Sequence, residues 1–393
     1  MRPHYYFTKP DPDYAVKGSR DPLGFQVIWQ HQGKRLIPYL STVSINIRDF
    51  QILCLANYLC QGKPASSWAK SFFRFEQAMA YARILKSPNE GFNGVEKVRK
   101  LINASERVSI SNSPADEILS NQRAYGIWGK YSRPFADIDF VNDLEFSKVY
   151  SEKLAAVFRN PELERLVTKI IESEKSVLDH SQIRSLGVLL NVNASEKKFF
   201  NRKLLKIEQH DNFQNRLYDF VADHGLPKEF KLYPFLDTFE KYLDKSETSL
   251  KNVLTDIRFT EHILCPLAQI FRYIQQRPLW SKDAIENDAF ISRSKQEVNH
   301  SFLEVNEQSK VLNHFVPTFM KSNWQLVEDL VKRNEEVSNW RGGAPWMKIN
   351  NSILEVHHSE GQFNDNNFNP RQDAENSYFI ETYISLYKQL HAL

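Results

Sequence analysis

The chain has 393 residues, of which 41% are hydrophobic and 25% are charged, a composition that is typical of folded globular proteins and excludes an intrinsically disordered chain. This length predicts about two to four domains. The formal net charge of +3 is unevenly distributed, because residues 1–135 hold 19 Lys and Arg against 10 Asp and Glu, whereas residues 136–393 hold 32 against 38.

The positive charge of the first third bears on the choice of partner. A basic region favours an anionic partner, with nucleic acid first, or docking onto an acidic neighbouring protein. A solvated surface with uneven charge accounts for the same counts and stays open as the alternative.

The sequence also bears on location and redox state. No stretch approaches the ~20 consecutive apolar residues that span a bilayer, and residues 1–22 lack the apolar core of a secretory signal. Cys54, Cys60 and Cys265 form no CxxC pair, which argues against a disulfide framework and a thiolate zinc site. We therefore expect a cytoplasmic protein with reduced, buried thiols and no membrane partner.

Residues 1–42 are rich in turn-forming residues and predict an extended arm with a small hairpin. The two strands would be FQVIW (25–29) and RLIPYL (35–40), and they would flank a turn at Gln32 and Gly33.

Residues 43–157 predict a basic helical domain. A helix that begins near Ser66 repeats aromatic and apolar side chains at i+3 and i+4, which predicts a face in the core. The opposite face of this helix would present Lys70, Arg74 and Arg83 to solvent.

A further helix start is predicted by Ser113 as the N-cap and Pro114 at the first helical position. That helix would run into LSNQRAYGIWGKYSRPF (119–135), and an apolar segment, an Asn-Asp break and a closing helix follow. This order over residues 113–157 outlines a winged-helix-like module, although other helical domains would produce the same order.

Residues 158–340 predict a second helical domain, because helical patterns follow one another with short polar joints. Residues 341–393 predict a β-hairpin with a turn at Asn350 and Asn351, then a mobile polar loop at 360–376 and a closing amphipathic helix. The expected fold class is mainly α and multi-helical, with small β-hairpins near both termini.

No catalytic or metal-binding signature occurs. The sequence contains no GxxxxGK[ST], GxGxxG or HExxH motif, so we expect neither ATP hydrolysis, nor a cofactor, nor a metal site. A restriction-type nuclease would use a Glu-x-Lys strand beside a divalent metal, and Glu229-Phe230-Lys231 is the nearest match. His358 and Glu360 form a second candidate group for acid–base or metal chemistry.

The cations of the first third are the candidates for nucleic-acid binding. Lys and Arg neutralise phosphates, and neighbouring aromatic rings either stack on bases or pack in the core. Tyr125, Trp128 and Tyr131 are spaced at i, i+3 and i+6, which predicts a buried stripe if the helix is continuous. Gly126 and Gly129 predict close packing or helix termination. The cations that would contact phosphates are Lys97, Arg99, Lys100, Arg107, Arg123, Lys130 and Arg133.

Four segments carry a family resemblance: LSNQRAYGIWGKYSRPF, DPLGFQVIW, FRFEQAMAYAR and RGGAPW. In these segments the chain resembles uncharacterised bacterial proteins of similar length that are associated with DNA-modification and phage-defence gene clusters. The resemblance would cover most of the chain. It implies a bacterial cytoplasmic component that works beside a DNA-acting machine, and it assigns no role to any single residue.

Together these observations predict a non-catalytic nucleic-acid-binding or adaptor subunit of a bacterial phage-defence or DNA-processing complex. Its partners would be DNA and further protein subunits. Two alternatives stay open: a metal-dependent nuclease, which alone would need a divalent metal, and a purely protein-binding scaffold.

Overall fold

The computed structural model describes residues 21–207, 213–296, 310–361, 363, 368–369 and 372–392. These residues divide into two compact units. The first unit holds the described residues up to Leu36 and those of Pro227–Tyr378, and the second holds those of Ile37–Leu226 and Phe379–Leu393. Each described unit is mainly helical with one small antiparallel sheet, which confirms the mainly α, multi-helical class.

In chain order the described helices are α1 (Gln26–Leu36), α2 (Ile47–Leu59), α3 (Ala65–Lys86), α4 (Val95–Ala104), α5 (Gln122–Tyr125), α6 (Ile127–Asp137), α7 (Leu144–Val157), α8 (Pro161–Glu172), α9 (His180–Leu186), α10 (Ala194–Phe200), α11 (Phe213–His224), α12 (Leu232–Tyr242), α13 (Thr248–Ile274), α14 (Lys282–Glu286), α15 (Ala289–Gln296), α16 (Lys310–Phe315), α17 (Asn323–Trp340) and α18 (Ile380–Ala392). Short 3-10 turns cover Gly187–Leu190 and Pro317–Met320, and a π-helical turn covers Asn201–Leu205. The described strands are β1 (Arg107–Ser111), β2 (Lys175–Asp179), β3 (Leu279–Ser281), β4 (Met347–Asn350) and β5 (Ile353–Val356).

Helix α13 is the centre of the first unit. It extends over 27 residues with Pro266 inside it, and it packs against α1, α12, α15, α16 and α17. The strands form an antiparallel sheet in the order β3-β5-β4. The predicted C-terminal hairpin is therefore confirmed, with its turn one position later than predicted. The turn residues Asn351 and Ser352 have φ values of 47° and 65°.

Helix α3 is the centre of the second unit. It packs against α2, α4, α8 and α9, so nearly every side chain from Ser71 to Ile84 is buried. The prediction that Arg74 and Arg83 face solvent is wrong, because α3 is covered on all sides. Arg74 donates from Nε to the Ile170 carbonyl at 2.9 Å, which satisfies an otherwise unpaired carbonyl near the end of α8. Polar groups of α3 thus hold neighbouring elements in place.

The predicted N-terminal hairpin is wrong for the residues that the structure describes. Residues 26–36 form α1, and the Asp21 carboxylate accepts the Phe25 amide at 2.9 Å just before that helix. Gly33 was predicted to form a turn, but it is buried within the helix, because tertiary packing overrides a local turn preference. The arm predicted for residues 1–20 lies outside the described residues, as do parts of the loop predicted at 360–376.

The helix start predicted at Ser113 and Pro114 is also wrong. Asp116 accepts hydrogen bonds from the hydroxyls of Ser109 and Ser111, at 2.9 and 2.5 Å, so this segment turns back onto β1. Helix α5 begins only after residue 121. Residues 113–157 consist of turns and the helices α5, α6 and α7, with no strand, and the winged-helix-like outline is not confirmed.

The remaining expectations concern the thiols and the membrane. Cys54, Cys60 and Cys265 are all buried and free of disulfides, as predicted. Among the described residues, no helix combines the length and the apolar character that crossing a membrane requires.

Candidate functional site

A pocket of about 220 Å³ opens in the second unit between α2, α3, α6 and the segment that precedes α4. We call it the Glu76 pocket. Its polar lining includes Asn46, Asp49, Glu76, Arg83, Asn93 and Lys130. Residues 125–127, 130 and 131 also line it, so the segment LSNQRAYGIWGKYSRPF forms one of its sides.

Glu76 is the most deeply buried acid of this pocket, with 2% of its surface exposed. One carboxylate oxygen accepts the Ile127 backbone amide at 2.6 Å, and the other accepts the Gln122 side-chain amide at 2.8 Å. Burial raises the pKa of Glu76 to about 7, although these hydrogen bonds oppose the rise. The Glu76 carboxylate, which lies beside the first turn of α6, therefore changes charge near neutral pH.

Gly126 separates α5 from α6, and Gly129 lies in the first turn of α6. Gly126 has an extended backbone, with φ −77° and ψ −169°, and a Cβ at this position would lie 2.6 Å from a Glu76 carboxylate oxygen. A Cβ at Gly129 would collide with the backbone of Ala124. Gly126 thus ends α5 in close contact with Glu76, and Gly129 packs closely against the end of α5, which confirms the prediction of close packing or helix termination at these glycines.

The break at Gly126 also divides the aromatic stripe. Tyr131 is 2% exposed, whereas Tyr125 is 50% exposed. Trp128 is half-buried and its ring lies 4.8 Å from that of Trp68. The prediction of one buried stripe is therefore wrong for Tyr125, because the helix is not continuous.

Arg83 is a buried cation beside the pocket. Its guanidinium contacts Asp49 at 2.5 Å and Glu90 at 2.8 Å. Burial disfavours its charge, but these two carboxylates outweigh that cost and raise the pKa of Arg83. The guanidinium also lies 4.3 Å from the centre of the Phe92 ring. Arg83 is thus fixed and neutralised where it lines the pocket.

Tyr131 connects this ion-pair network to α2. Its hydroxyl accepts the Asn46 backbone amide at 3.1 Å, and it also hydrogen-bonds to the Asp49 carboxylate. Burial and that neighbouring carboxylate together raise the pKa of Tyr131. The hydroxyl is therefore kept protonated, and it serves to orient Asp49.

The cations predicted to bind nucleic acid all belong to the second unit. Five of them are exposed, and Arg99 and Lys130 are partly exposed. Arg99 pairs with Glu96 at 2.6 Å and Arg133 with Asp137 at 2.9 Å. We call the set Lys97, Arg99, Lys100, Arg107, Arg123, Lys130 and Arg133 the basic surface.

Two parts of the basic surface that are distant in the sequence are joined by direct contacts. The Asn93 side chain, just before α4, donates to the Tyr125 carbonyl of α5 at 2.9 Å. The Lys97 ammonium donates to the Glu117 carbonyl, which precedes α5. These contacts hold α4 beside the segment that carries Arg123, and the Glu76 pocket opens at this junction.

The nuclease candidates lie in the first unit. Glu229 is exposed in the turn before α12, and Lys231 is the residue that precedes this helix, so the Glu-x-Lys motif is not on a strand. His358 packs its ring against Trp346, with 4.4 Å between the ring centres. Burial raises the pKa of Glu360. Among the described residues, no three His, Cys, Asp or Glu side chains lie close enough to hold a metal ion.

Sequence reasoning missed Asp49, Glu76 and Arg83. Two of these lie in FRFEQAMAYAR, where the apolar spacing indicated a core face and charged residues were expected to face solvent. A usable signal was present, because Glu76 and Arg83 are charged residues within the most apolar stretch of α3. Charged residues are rarely buried unless they are paired.

No protein-family model, curated protein or solved structure matches the chain.

Proposed function

We propose that the chain is a non-catalytic nucleic-acid-binding or adaptor subunit of a bacterial phage-defence or DNA-processing complex, and that its basic surface contacts the phosphates. One observation carries the proposal: the hydrogen bond from Asn93 to the Tyr125 carbonyl brings two separate basic segments together. Cations from residues 97–100 and from residues 123–133 can then follow one phosphate backbone.

The ion pairs within the basic surface do not oppose this role. Arg99 and Arg133 pair with Glu96 and Asp137 within their own helices, and exposed pairs of this kind contribute only about 0.2–1 kcal/mol. A phosphate can replace either carboxylate at little cost. Each phosphate that is neutralised contributes about 0.9 to the slope of log K against log salt for duplex DNA and about 0.7 for a single strand.

The test is fluorescence anisotropy with labelled single-stranded DNA, duplex DNA and RNA, between about 50 and about 300 mM salt. The variant replaces Lys97, Arg99, Lys100, Arg123 and Arg133 with alanine. We expect it to weaken binding of all sequences and to lower the salt slope by up to about 4. Tighter binding of duplex than of single strands would indicate that the basic surface recognises paired DNA.

A matched control removes the same charge from the same unit. Lys148, Arg159, Arg165, Lys169 and Lys175 are also exposed residues of the second unit, and their replacement with alanine should leave binding nearly unchanged. Equal weakening by both variants would show that net charge alone attracts DNA, and it would contradict the proposed surface. No binding at low salt would also contradict it, and co-purification of a protein partner would then support the scaffold alternative.

Incubation with DNA and RNA in the presence of Mg²⁺, Mn²⁺ or Zn²⁺ tests the nuclease alternative. We expect no cleavage. Metal-dependent cleavage that Glu229→Ala or His358→Ala abolishes would contradict the non-catalytic part of the proposal.

A further inference from the structure

The Glu76 pocket lies next to cations from two segments. Residues 91–93 line it and lead into α4, which carries Lys97 and Lys100. Residues 125–127 line it from the other segment and are followed by Lys130, which also lines it. A phosphate chain on the basic surface would therefore pass close to the opening of the pocket.

The size of the pocket suits one ring system. An apolar cavity of about 150 Å³ binds a benzene molecule, and the Glu76 pocket has about 220 Å³. A single heterocycle with its substituents fits this volume, whereas several stacked bases do not.

The apolar part of the lining can contact the faces of a flat ring. Val43, Ile45 and Tyr125 line the pocket with 43%, 49% and 50% of their surfaces exposed. Phe92 and Ala80 line it as well. Nucleic-acid-binding proteins commonly hold an unstacked base between aromatic and apolar side chains of this kind.

The polar part of the lining favours a neutral ligand. A phosphate inside the pocket would meet the Glu76 carboxylate, and a cation would meet the Lys130 ammonium, whereas Asp49 and Arg83 neutralise one another. A neutral ring with hydrogen-bonding groups avoids both repulsions, whereas a buried charge without a partner is costly.

The hydrogen-bonding capacity of the acids indicates which edge of a base would bind. An ionised carboxylate offers about four acceptor sites, and Glu76 uses one site on each oxygen for Ile127 and Gln122. The sites that remain accept hydrogen bonds from amino groups and cannot donate to a carbonyl. Adenine, cytosine and guanine carry exocyclic amino groups, whereas thymine and uracil offer only a ring N–H between two carbonyl oxygens, which a carboxylate repels.

We propose that the Glu76 pocket receives one unpaired nucleobase that bears an exocyclic amino group, while the neighbouring phosphates lie on the basic surface. This inference rests on the proposed function and adds a class of ligand to it. Because a paired base cannot reach such a pocket, the ligand is a single strand or a base extruded from a duplex.

The test uses single-stranded thymidine oligonucleotides of about twelve residues, in which one central position is thymine, adenine, cytosine, guanine or an abasic site. Binding is measured by anisotropy at about pH 8, above the pKa of about 7 of Glu76. We expect at least one amino-bearing base to bind about fivefold or more tightly than thymine and the abasic site. The all-thymidine oligonucleotide reports the basic surface alone.

Two variants probe the pocket. Glu76→Gln supplies a donor as well as an acceptor, so it should reduce the preference over thymine to less than about twofold and leave the affinity for the all-thymidine oligonucleotide unchanged. Tyr125→Ala changes an exposed side chain, so folding should tolerate it. It should weaken binding of the oligonucleotides with an amino-bearing central base and leave the all-thymidine and abasic oligonucleotides unchanged. Trp340 is an exposed aromatic residue of the first unit, and Trp340→Ala is the control. It should change neither the preference for an amino-bearing base nor the affinity for the all-thymidine oligonucleotide.

The outcomes separate this inference from the proposed function. Equal affinity for all central positions, with tight binding of the all-thymidine oligonucleotide, overturns the base pocket and leaves the basic surface standing. A preference that persists in Glu76→Gln also overturns the base pocket. If no oligonucleotide binds, free nucleosides are titrated and followed by NMR. Binding of a nucleoside at the pocket would then overturn the proposed function alone. If no nucleoside binds either, both the proposed function and the base pocket are overturned.

Discussion

The carboxylate of Glu76 accepts the backbone amide of Ile127 at 2.6 Å, at the start of α6. The negative charge thus lies at the positive end of the helix dipole, where it is favoured. The contact depends on Gly126, because a Cβ there would collide with the Gln122 carbonyl and would lie 2.6 Å from the same carboxylate. A pocket acid, a glycine and a helix start therefore form one arrangement.

Replacing Gly126 with alanine should destabilise the second unit by about 1–3 kcal/mol, as overpacking does in other proteins. The φ of −77° is allowed for alanine, so the loss has a steric origin. Chemical denaturation measures it. Gly187→Ala is the control, since its Cβ would meet only Lys86 at 3.6 Å and its φ is −58°. Equal stability of the two variants would contradict the close approach of Gly126 to Glu76 and to the Gln122 carbonyl.

Glu76 should make stability depend on pH. Its pKa is about 7 in the folded chain against 4.5 ordinarily, so the folded state binds the proton more tightly than the unfolded state. Stability is therefore highest below about pH 4.5 for this group, and it falls by about 3 kcal/mol as the pH rises to about 7. Arg83, which lines the same pocket, has a raised pKa and stays charged across this range, so it does not reverse the sign.

The measurement compares denaturation of wild type and Glu76→Gln from about pH 5 to about pH 8. The difference in unfolding free energy between them should change steadily in favour of the variant as the pH rises. A difference that stays constant with pH would show that Glu76 titrates in the same way in both states. Burial also raises the pKa of Glu261 in the first unit to about 7. The pH dependence of wild type alone therefore reports both acids, and the comparison with Glu76→Gln isolates the contribution of Glu76.

Glu261 should hold the segment that ends the first unit. Its carboxylate accepts hydrogen bonds from the Asn376 amide at 3.0 Å and from the Tyr378 hydroxyl at 2.8 Å, and the Glu375 amide also donates to it. Glu261→Ala leaves these donors unpaired, which lowers the free energy of unfolding by about 1–3 kcal/mol for each buried group. Hydrogen exchange at residues 375–378 should accelerate strongly. Glu335→Ala, an exposed acid of the same unit, should not change it, and equal protection in both variants would refute the role of Glu261.

The mainly helical class and the C-terminal hairpin could be predicted because their signals are local. Asn351 tolerates the positive φ of this turn, and apolar spacing predicts helices such as α13. The N-terminal hairpin failed because Gly33 packs inside α1, which no local pattern records. The helix start at Ser113 failed because Asp116 bonds to the serines of β1.

The seven cations of the basic surface could be named from the sequence because charge is visible there, and their binding to nucleic acid stays a prediction. The Glu76 pocket could not, because its acids come from α2 and α3 while its glycine comes from the start of α6. Spacing along one helix indicates which residues are buried. It does not indicate which buried acid meets which distant backbone amide, since that pairing depends on how the helices pack.

Lys153 and Glu196 form a buried ion pair in the second unit, with 2.5 Å between Nζ and Oε2 and almost no exposure of either side chain. Glu196 also accepts the Gln51 side-chain amide and the Asn193 backbone amide, each at 3.2 Å. Lys153→Met would leave this carboxylate without its cation in the core. We expect a loss of about 3–5 kcal/mol in unfolding free energy, since a buried charge without a partner is costly.

The double variant Lys153→Met with Glu196→Gln should recover more than about 1 kcal/mol of that loss. The glutamine is neutral and keeps an acceptor for the Asn193 amide, as in other capping boxes. The exposed pair of Arg133 and Asp137 is the control, and Arg133→Met should cost no more than ~1 kcal/mol. The loss of unfolding free energy in the double variant could instead equal the sum of the losses in the two single variants. That result would show that Lys153 and Glu196 stabilise the fold independently, through their other hydrogen bonds.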